Sequence, residues 1–552
     1  MSLARTLRTV RHLKPRQLVA QVWHTLGPVS QPVAMAPEGA AWAIDGLAAS
    51  PLPPPDHARW DGAGRIELIH RAVDFGSAAA IDFAHAVDGP LWAYQLHFFE
   101  WARSADATPE ARAAAVARWL DSVPQVAGGP AWDPHPVSVR ALSWLKLRFA
   151  GGLPADFAGS AADGRLRSSL ASQIDWLSRN VETRLQANHL LENWIAVVAG
   201  GVALDAPRAR HWRAGVEPLV VELDAQIGPD GAHCERSPMY HAVLLEHLLD
   251  LLSLVRVAAG RVPGGFEDRL VDVCARMLGA LEVWTHPDGE IALVGDSAFG
   301  IGQSPAALRA YAEALGIAAV GPAGQGVLAS VGAVRLADDS FSWLGSFAGP
   351  SPQHQPGHAH CDALAFELCV EGQRVVTDTG VFEYVAGDRR TQARTTRSHA
   401  TLELAGEEQS EIWSAHRVGG RAMVELSEVE PGRSVSGSCR GWATPQALHR
   451  RSVELEAGGL TIHDRLEGAA LPVRAHLPLA PGLEPELAGA ELWIPLASGR
   501  RLRVELPALD WRLERAPYYP RFGVEESRCV VIGEAPRFES GRWRFWLEEP
   551  KP

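Results

Sequence analysis

The stretch GPAGQGVLASVGAVRLA, residues 321–337, marks the point at which the pattern of the chain changes. Ahead of it, apolar residues recur at i, i+3 and i+4 through long segments, which is the pattern of amphipathic helices. Beyond it, short segments rich in β-branched and aromatic residues alternate with Gly and Asp turns, as antiparallel strands do. The sequence therefore predicts an α+β multidomain protein, helical first and all-β second, with the boundary within residues 321–326.

The helical half consists of amphipathic segments in series, with no strands predicted between them. A bundle, a solenoid and an α/α toroid all fit such a series, although the lack of a fixed-period repeat disfavours a solenoid. The segments are LWAYQLHFFEWA (91–102), ARAAAVARWLDSV (111–123), VSVRALSWLKLRFA (137–150), LRSSLASQIDWLSRNV (166–181), HLLENWIAVVAGGVAL (189–204), HAVLLEHLLDLLSLVRVAA (241–259) and DRLVDVCARMLGALEVW (268–284).

The second half predicts a large antiparallel β-sandwich. The chain then divides into a basic N-terminal helix with a Pro-rich connector (1–60), the helical domain (61–322) and the β domain (323–552). The β-rich segments are GVLASVGAVRLA (326–337), FSWLGSFA (341–348), ALAFELCV (363–370), QRVVTDTG (373–380), LTIHDRLEG (460–468) and RLRVELPALDWRL (501–513).

The composition excludes several classes of protein. At 552 residues the chain is too long for one ordinary core, and its 47% hydrophobic and 21% charged residues are typical of a globular protein. A net charge of −13 argues against a nucleic-acid partner and requires that an acidic ligand be held by a local basic site. Six scattered cysteines without a CxxC pair predict reduced thiols.

The first candidate site is NHLLENW (188–194), at the start of a predicted helix. Asn188 and Glu192 lie one helical turn apart, as do His189 and Asn193, so the four side chains form two polar rows. The alternative interpretation is that Asn188 only caps the helix.

The second candidate site is ERSPMYH (235–241), ahead of a strongly apolar helix. Tyr240 is one of six tyrosines in the chain and stands beside Arg236 and His241, which makes it a candidate acid or base. Both neighbours can carry positive charge, so we expect them to lower the pKa of the Tyr240 hydroxyl by stabilising the phenolate. The alternative is a tyrosine whose ring packs and whose hydroxyl finds a partner.

Two further candidate sites lie in the β half. In extended chain, His358 and His360 of GHAHCD (357–362) point to one face, as metal ligands or paired catalytic groups do. The segment 378–399 holds four arginines within nine residues, and arginine recognises carboxylate and sulfate groups bidentately. The alternative is a solvated loop whose arginines pair with the glutamates at 407, 408 and 411.

These residue types fit the β-elimination of a 4-linked sugar from a uronate. That reaction removes a weakly acidic proton from C5, after the adjacent carboxylate has been neutralised by hydrogen bonds or a cation. A base then takes the proton and an acid protonates the leaving oxygen. Because an unperturbed tyrosine is a poor base at neutral pH, Tyr240 is assigned as the acid, and His358, or alternatively Tyr384, as the base.

The motifs resemble those of the heparinase II/III family of bacterial polysaccharide lyases. The resemblance extends over nearly the whole chain and implies an incomplete α/α toroid packed on an antiparallel β-sandwich, with the active site between them. The motifs are NHLLENW, ERSPMYH, GHAHCDALAFEL (357–368), VVTDTGVFEY (375–384) and RTTRSHATLEL (394–404), together with PLWAYQLHFFEW (90–101) and WDPHPVSVRALSWLK (132–146), which are similar to aromatic motifs of members found in exopolysaccharide gene clusters.

Carried over residue by residue, the resemblance implies a role for each matching position. Asn188 and His189 match the groups that neutralise the uronate carboxylate, Tyr240 matches the catalytic tyrosine, His358 the histidine beside the reacting sugar, and Tyr384 a second active-site tyrosine. His360, Asp378 and His399 match a zinc site of structural role. The remaining polar residues of the motifs are interpreted as substrate contacts: Glu192, Asn193, Arg236, His241, Arg390 and Arg394.

The sequence also differs from the family pattern and limits its geometry. Ala400 stands where many relatives have Asn, and Cys361 occupies a position that is usually small. If residues 363–370 and 374–379 form a tight hairpin, Asp378 pairs near Ala365, roughly 17 Å along the strand from His360. A zinc site then requires the loop that carries His358 and His360 to fold back.

Several alternatives stay open at this point. A glycoside hydrolase would use an acidic pair such as Glu192 and Glu235, and a non-catalytic glycan-binding protein of polysaccharide assembly would use the same polar groups for binding alone. The expected partner is an acidic polysaccharide or oligosaccharide; the oligomeric state is left open, a homodimer being one alternative. No transmembrane segment and no classical secretory signal are predicted, which favours the cytoplasm, whereas the habit of the family favours the periplasm.

Overall fold

The computed structural model describes residues 3–36, 39–322 and 326–548, and half of the predicted boundary, residues 323–325, lies outside them. Helices dominate the first part of the chain. They are α1 (Leu3–Val10), α2 (Pro15–Leu26), α3 (Pro90–Phe98), α4 (Pro109–Ser122), α5 (Pro134–Phe149), α6 (Ala161–Arg179), α7 (Ala187–Ala203), α8 (Ala209–Arg213), α9 (Val216–Gln226), α10 (Pro238–Val257), α11 (Phe266–Trp284) and α12 (Pro305–Ala314), with α13 (Asp388–Arg394) in the second part.

The helical domain is built around α10, which carries Tyr240 in its first turn. Leu244, Leu248 and Leu251 of this helix are fully buried, and α7 and α11 pack against it. Of the described helices, α10 alone is long and apolar enough to cross a membrane, but 89% of its apolar window is buried inside the protein. Its hydrophobicity is therefore that of a core helix.

The second part of the chain is antiparallel. Its strands are β6 (Val327–Leu328), β7 (Ala333–Ala337), β8 (Phe341–Ser346), β9 (Phe366–Val370), β10 (Gln373–Val376), β11 (Leu402–Leu404), β12 (Ile412–Trp413), β13 (Arg417–Val418), β14 (Met423–Glu430), β15 (Ser434–Arg440), β16 (Ala447–Glu456), β17 (Gly459–Gly468), β18 (Val473–Pro478), β19 (Glu486–Ala488), β20 (Glu491–Pro495), β21 (Arg501–Glu505), β22 (Asp510–Tyr518), β23 (Glu526–Ala535) and β24 (Ser540–Glu548).

Three larger sheets share one apolar core. Their strand orders are β10-β9-β8-β7-β6, β11-β18-β23-β22 and β14-β15-β16-β17-β24-β21-β20-β19. Burial alternates along β16, where Val453 faces the core opposite Ile462 of β17, as expected for strands covered on one face. The predicted order, helical first and antiparallel second, is confirmed.

The region before α3 differs from the prediction. The segment assigned to the connector and to the start of the helical domain forms a three-stranded sheet, with Ile66 and Leu68 fully buried. Strands of three or four residues are too short to give a recognisable period beside a Pro-rich stretch. The early strands are β1 (Ala41–Trp42), β2 (Ala58–Trp60), β3 (Arg65–Leu68) and β4 (Arg71–Asp74), and β5 (Leu204–Asp205) pairs with β1.

The hairpin of β9 and β10 forms around Glu371 and Gly372, as predicted, with Val376 opposite Leu368. The loop before β9 nevertheless turns back, because Leu364 adopts a φ of 60° and its N–H donates to the carbonyl of Ser346. This reversal overturns the expected ~17 Å separation along an extended strand. It brings ligand atoms of His360 and Asp378 within 4.8 Å of each other.

One buried carboxylate, that of Glu367 in β9, joins the two domains. It accepts hydrogen bonds from the imidazole of His286 and the N–H of Leu293 in the helical domain. It also accepts from the Thr377 hydroxyl and the Asp378 N–H in its own domain. The Glu367 carboxylate thus has hydrogen-bond donors from both domains and helps to hold the interface between them.

Candidate active site

Tyr240 is placed by the start of α10. The hydroxyl of Ser237 accepts the N–H of Tyr240 as a helix cap, and Pro238 occupies the first helical position. The Ser237 hydroxyl also donates to the carbonyl of Asp296, which fixes the helix start against the loop that contains Asp296.

Tyr240, Tyr384 and His358 meet between the two domains. The hydroxyls of Tyr240 and Tyr384 lie 2.8 Å apart, and the rings of Tyr240 and His358 have centroids 4.3 Å apart. His416 completes the group, with its ring 5.0 Å from that of Tyr384. All four side chains are partly exposed, so they line an open cleft.

Asp296 holds this cluster together. Its carboxylate lies 2.8 Å from Nδ1 of His358 and 2.8 Å from Nε2 of His360, and the guanidinium of Arg390 binds both of its oxygens. Burial raises the pKa of Asp296, but the charge of Arg390 and the hydrogen bonds from His358 and His360 together outweigh burial and keep that pKa well below its ordinary value. An ionised Asp296 places the proton of His358 on Nδ1 and leaves Nε2 free to accept one.

A second polar group surrounds His189. His189 lies 3.0 Å from Glu182 and stacks on the ring of His135, with centroids 4.4 Å apart. Burial opposes protonation of His189, but the carboxylate of Glu182 outweighs it and raises the pKa to about 9. Asn188 is buried beside it, and its Nδ2 has no hydrogen-bond partner among the described residues. An acidic group could therefore be received by His189 and Asn188.

Glu235 lies between the two groups. Its carboxylate is 3.9 Å from Nε2 of His358, and the charges of both His358 and His189 act on it. Burial raises the pKa of Glu235, which favours its neutral form.

The pKa of Tyr240 departs from the sequence-based expectation. Burial raises it, and the hydrogen bond from Tyr384 offsets this only in part. Neither predicted neighbour contributes, because His241 is buried with Nε2 on the carbonyl of Met277 and Arg236 binds the carbonyl of Gly349. The expected lowering of the pKa is wrong, and Tyr240 stays protonated at neutral pH.

The six residues interpreted as substrate contacts are all engaged by protein groups. Asn193 accepts the N–H of Glu182, Arg236 and His241 are held as described above, and the buried Arg394 donates to the carbonyls of Ala359 and Ser414. The buried Arg390 binds Asp296. Glu192 lies 2.8 Å from His135 and 3.3 Å from His247. These side chains are therefore engaged by protein partners in this structure, and their role as substrate contacts stays a prediction.

His360, Asp378 and His399 come together as the resemblance implies. Their candidate ligand atoms lie within 4.8 Å of one another and all three side chains are buried. Nδ1 of His360 and Nε2 of His399 have no hydrogen-bond partner among the described residues. Two imidazoles and a carboxylate are donors that zinc prefers, so the residues fit that ion.

Sequence reasoning missed Asp296, Glu182, His135 and His416. Asp296, Glu182 and His416 lie outside the quoted motifs, and His135 stands in WDPHPVSVRALSWLK without a charged partner at helical spacing. The one local signal is Asp296 itself, a charged residue between Gly295 and Ser297 in an otherwise apolar segment. Burying an acidic residue there requires basic partners, which only the fold reveals.

Two family models match adjoining parts of the chain. The model described as "Heparinase II/III N-terminus" matches residues 163–315, and "Heparinase II/III-like, C-terminal" matches residues 321–537. The chain belongs to the heparinase II/III family, as the resemblance predicted.

Comparison with individual proteins gives relatives of the same kind. A curated heparin-sulfate lyase of Pedobacter heparinus is 29% identical over 268 residues, a match that spans 43% of this chain and only 38% of that protein. Among solved structures, heparinase III gives a TM-score of 0.67 at 17% identity, covering 85% of this chain and 79% of its own. A mutant heparan sulfate lyase from Pedobacter heparinus gives 0.60 at 20% identity, covering 90% and 82%.

Proposed function

We propose that this protein is a polysaccharide lyase that cleaves a uronate-containing glycan by β-elimination. The observation that carries the proposal is the contact of Tyr240 with both Tyr384 and His358. The hydroxyls of the two tyrosines lie 2.8 Å apart, and the ring centroids of Tyr240 and His358 lie 4.3 Å apart. The names of the heparin-sulfate lyase and heparinase III relatives support the same reaction and the same class of acidic substrate.

In this mechanism the neutral Tyr240 hydroxyl donates its proton to the leaving glycosidic oxygen. Burial keeps that hydroxyl protonated, which suits an acid. Nε2 of His358 accepts the C5 proton, because Asp296 occupies Nδ1. Tyr384 hydrogen-bonds to Tyr240 and is the alternative base, but burial raises its pKa well above the ordinary value, which favours His358.

The uronate carboxylate would be received by Asn188 and His189. Nδ2 of Asn188 is a free donor, and Glu182 keeps His189 protonated. Hydrogen bonds and one positive charge would lower the energy of the enolate-like intermediate that forms when C5 loses its proton.

A hydrolase working through Glu192 and Glu235 is less well supported. His135 and His247 outweigh the effect of burial and hold the pKa of Glu192 well below its ordinary value. Glu192 is fully buried and its carboxylate oxygens contact His135 and His247, so it is not free to act as the base or nucleophile that a glycosidase needs beside an acid such as Glu235.

The proposal includes zinc held by His360, Asp378 and His399. When bound, the ion would cross-link the loop that carries His358 to the segment after β10. Nδ1 of His399 lies 2.8 Å from Asp378, and Nε2 of His360 lies 2.8 Å from Asp296, so carboxylates orient both imidazoles.

The finer architecture is also part of the proposal. An incomplete α/α toroid over residues 61–322 agrees with the side-by-side packing of α5, α7, α10 and α11. A β-sandwich over residues 323–552 agrees with three antiparallel sheets around one core. The TM-score of 0.67 with heparinase III supports the same overall arrangement.

A screen of acidic polysaccharides should identify the substrate. We expect at least one uronate polymer to yield a 4,5-unsaturated product that absorbs in the ultraviolet, with no water added across the bond. New reducing ends without unsaturated product would contradict elimination and favour a hydrolase. Binding without any cleavage across the whole panel would favour a non-catalytic protein.

Protein purified without chelator is expected to contain about one zinc per chain. Removing the ion should lower the melting temperature and then the activity, because the His358 loop loses a cross-link. Elemental analysis and calorimetry before and after chelation measure this. The zinc assignment fails if no stoichiometric metal is present and chelated protein keeps its activity and its melting temperature.

The protonation of His189 predicts a pH dependence. The pKa of His189 in the folded protein, about 9, lies above the ordinary value of 6.5. The positive charge of His189 and the stability that it contributes are therefore fully present below about pH 6.5 and are lost as pH rises through about 9. KM should therefore rise through that range as the positive charge disappears. In Glu182→Gln the rise should begin at lower pH, and KM profiles that coincide for both proteins would exclude this role of His189.

A further inference from the structure

The two N-terminal helices carry their apolar side chains on the outside of the protein. No described side chain of α1 is buried, and only Gln17 of α2 is. Trp23 is 69% exposed and Leu26 is 81% exposed, whereas large apolar residues at the surface usually occur singly. The exposed large apolar residues of this N-terminal segment, together called the outer apolar face, are Leu3, Leu7, Val10, Leu18, Val19, Val22, Trp23, Leu26, Val29 and Val33.

This face holds ten of the nineteen exposed large hydrophobic residues in the described part of the chain. In α2 the positions 18, 19, 22, 23 and 26 repeat at helical spacing and share one side of the helix. A surface helix normally turns such a stripe towards the core. Here the stripe faces solvent, so a further component is needed to cover it.

The polar sides of the same helices fix this orientation. Two nitrogens of Arg8 bind Glu411 at 2.8 Å and 2.6 Å, and Arg16 binds both Glu222 and Gln186. The amide of Gln17 donates to backbone carbonyls in both domains. Rolling the helices to bury the stripe would break these contacts, so the outward direction is built into the fold.

The charge of the N-terminal segment, residues 1–33, indicates which kind of partner covers the outer apolar face. Residues 1–33 contain five Lys and Arg residues and no Asp or Glu, in a chain whose net charge is −13. No described ion pair includes Arg11 or Lys14, which leaves their charges available to an external partner. A second copy would place two basic segments against each other across a twofold axis, where like charges repel.

We propose that the outer apolar face binds the interface of an anionic lipid membrane. Apolar side chains enter the boundary between headgroups and acyl chains, while Arg11 and Lys14 meet the anionic headgroups. The helices lie on the membrane without crossing it, and the ion pairs of Arg8 and Arg16 hold the catalytic domains to them. This inference does not depend on the proposed lyase activity.

Co-sedimentation of the full chain with lipid vesicles tests the proposal. The protein should bind vesicles of phosphatidylcholine mixed with phosphatidylglycerol, and added salt should weaken the binding. The double variant Trp23→Asp/Leu26→Asp should bind at least about tenfold more weakly. The double variant Arg11→Gln/Lys14→Gln should lose about 30-fold.

A matched control is Val87→Asp/Val126→Asp, which adds the same charges at exposed valines outside the outer apolar face. It should bind like the natural protein. All variants should keep the melting temperature, because every changed side chain is exposed except that of Lys14, which is half-buried and forms no ion pair among the described residues. The proposal is overturned if the natural protein stays unbound, if the control loses binding equally, or if neutral vesicles bind it as tightly. A dimer that dissociates in Trp23→Asp/Leu26→Asp, without vesicle binding, would assign the face to a second copy.

Discussion

Tyr240→Phe is expected to lower kcat by about 10²–10⁴-fold while leaving KM nearly unchanged. The substitution keeps the ring that packs against His358 and removes only the hydroxyl, which lies 2.8 Å from that of Tyr384. Its proton is needed only as the glycosidic bond breaks, so the loss falls on the transition state. Initial rates on a substrate found by the screen measure the effect.

Tyr311→Phe is the matched control for that experiment. Tyr311 is buried and its hydroxyl donates to Asp250, on α10 ten residues beyond Tyr240. Ten helical residues correspond to about 15 Å, so this hydroxyl is remote from the cleft. Tyr311→Phe should lower the free energy of unfolding by about 1–3 kcal/mol and leave kcat unchanged. Near-normal turnover of Tyr240→Phe would show that Tyr240 only packs and that the mechanism is wrong.

Asp296→Asn is expected to affect both stability and catalysis. An amide of the same shape cannot accept from His358, His360 and Arg390 together, and it leaves the buried guanidinium of Arg390 without a counter-charge. Removing one partner of a buried pair typically costs about 3–5 kcal/mol. His358 also loses the group that fixes its proton on Nδ1, so the folded fraction should turn over about 10²–10⁴-fold more slowly.

Asp464→Asn separates these two effects. Asp464 is equally buried and binds His449 and Arg451 in the sheet domain, at 2.8 Å and 2.7 Å. Its loss should destabilise the protein to a similar degree without lowering the activity of the folded fraction. Denaturant unfolding gives the stability of both variants. Equal specific activity of folded Asp296→Asn and natural protein would remove the positioning role of Asp296.

Helix periodicity made most of the helical domain predictable from the sequence. The segments with long apolar stripes became α3 to α7, α10 and α11 within a few residues. The three-stranded sheet of β2, β3 and β4 was missed, since strands this short carry almost no period. The single N-terminal helix that was predicted is in fact two, because Pro15 begins a new helix.

The candidate site was predictable where the reacting residues stand within recognisable motifs. It was unpredictable where burial decides which partner a side chain binds. Tyr240, His358 and Tyr384 stand within motifs, and the fold brings them together. In the sequence, His241 and Arg394 also looked like site residues. In the structure, His241 is a core residue that contacts the carbonyl of Met277, and Arg394 donates to backbone carbonyls. Spacing along a strand misplaced His360 relative to Asp378 because a single residue, Leu364, reverses the chain.

The Glu367 carboxylate has a consequence for how the molecule unfolds. It is fully buried and is shared by groups from both domains. Burial raises its pKa, but the charge of Arg374 and the hydrogen bond from His286 together outweigh burial and hold that pKa well below the ordinary value. Separating the domains would break the hydrogen bonds from His286 and from the Leu293 N–H to this carboxylate and leave only water to replace them. The helical and sheet halves should therefore melt together in one calorimetric transition, and Glu367→Gln should split that transition into two.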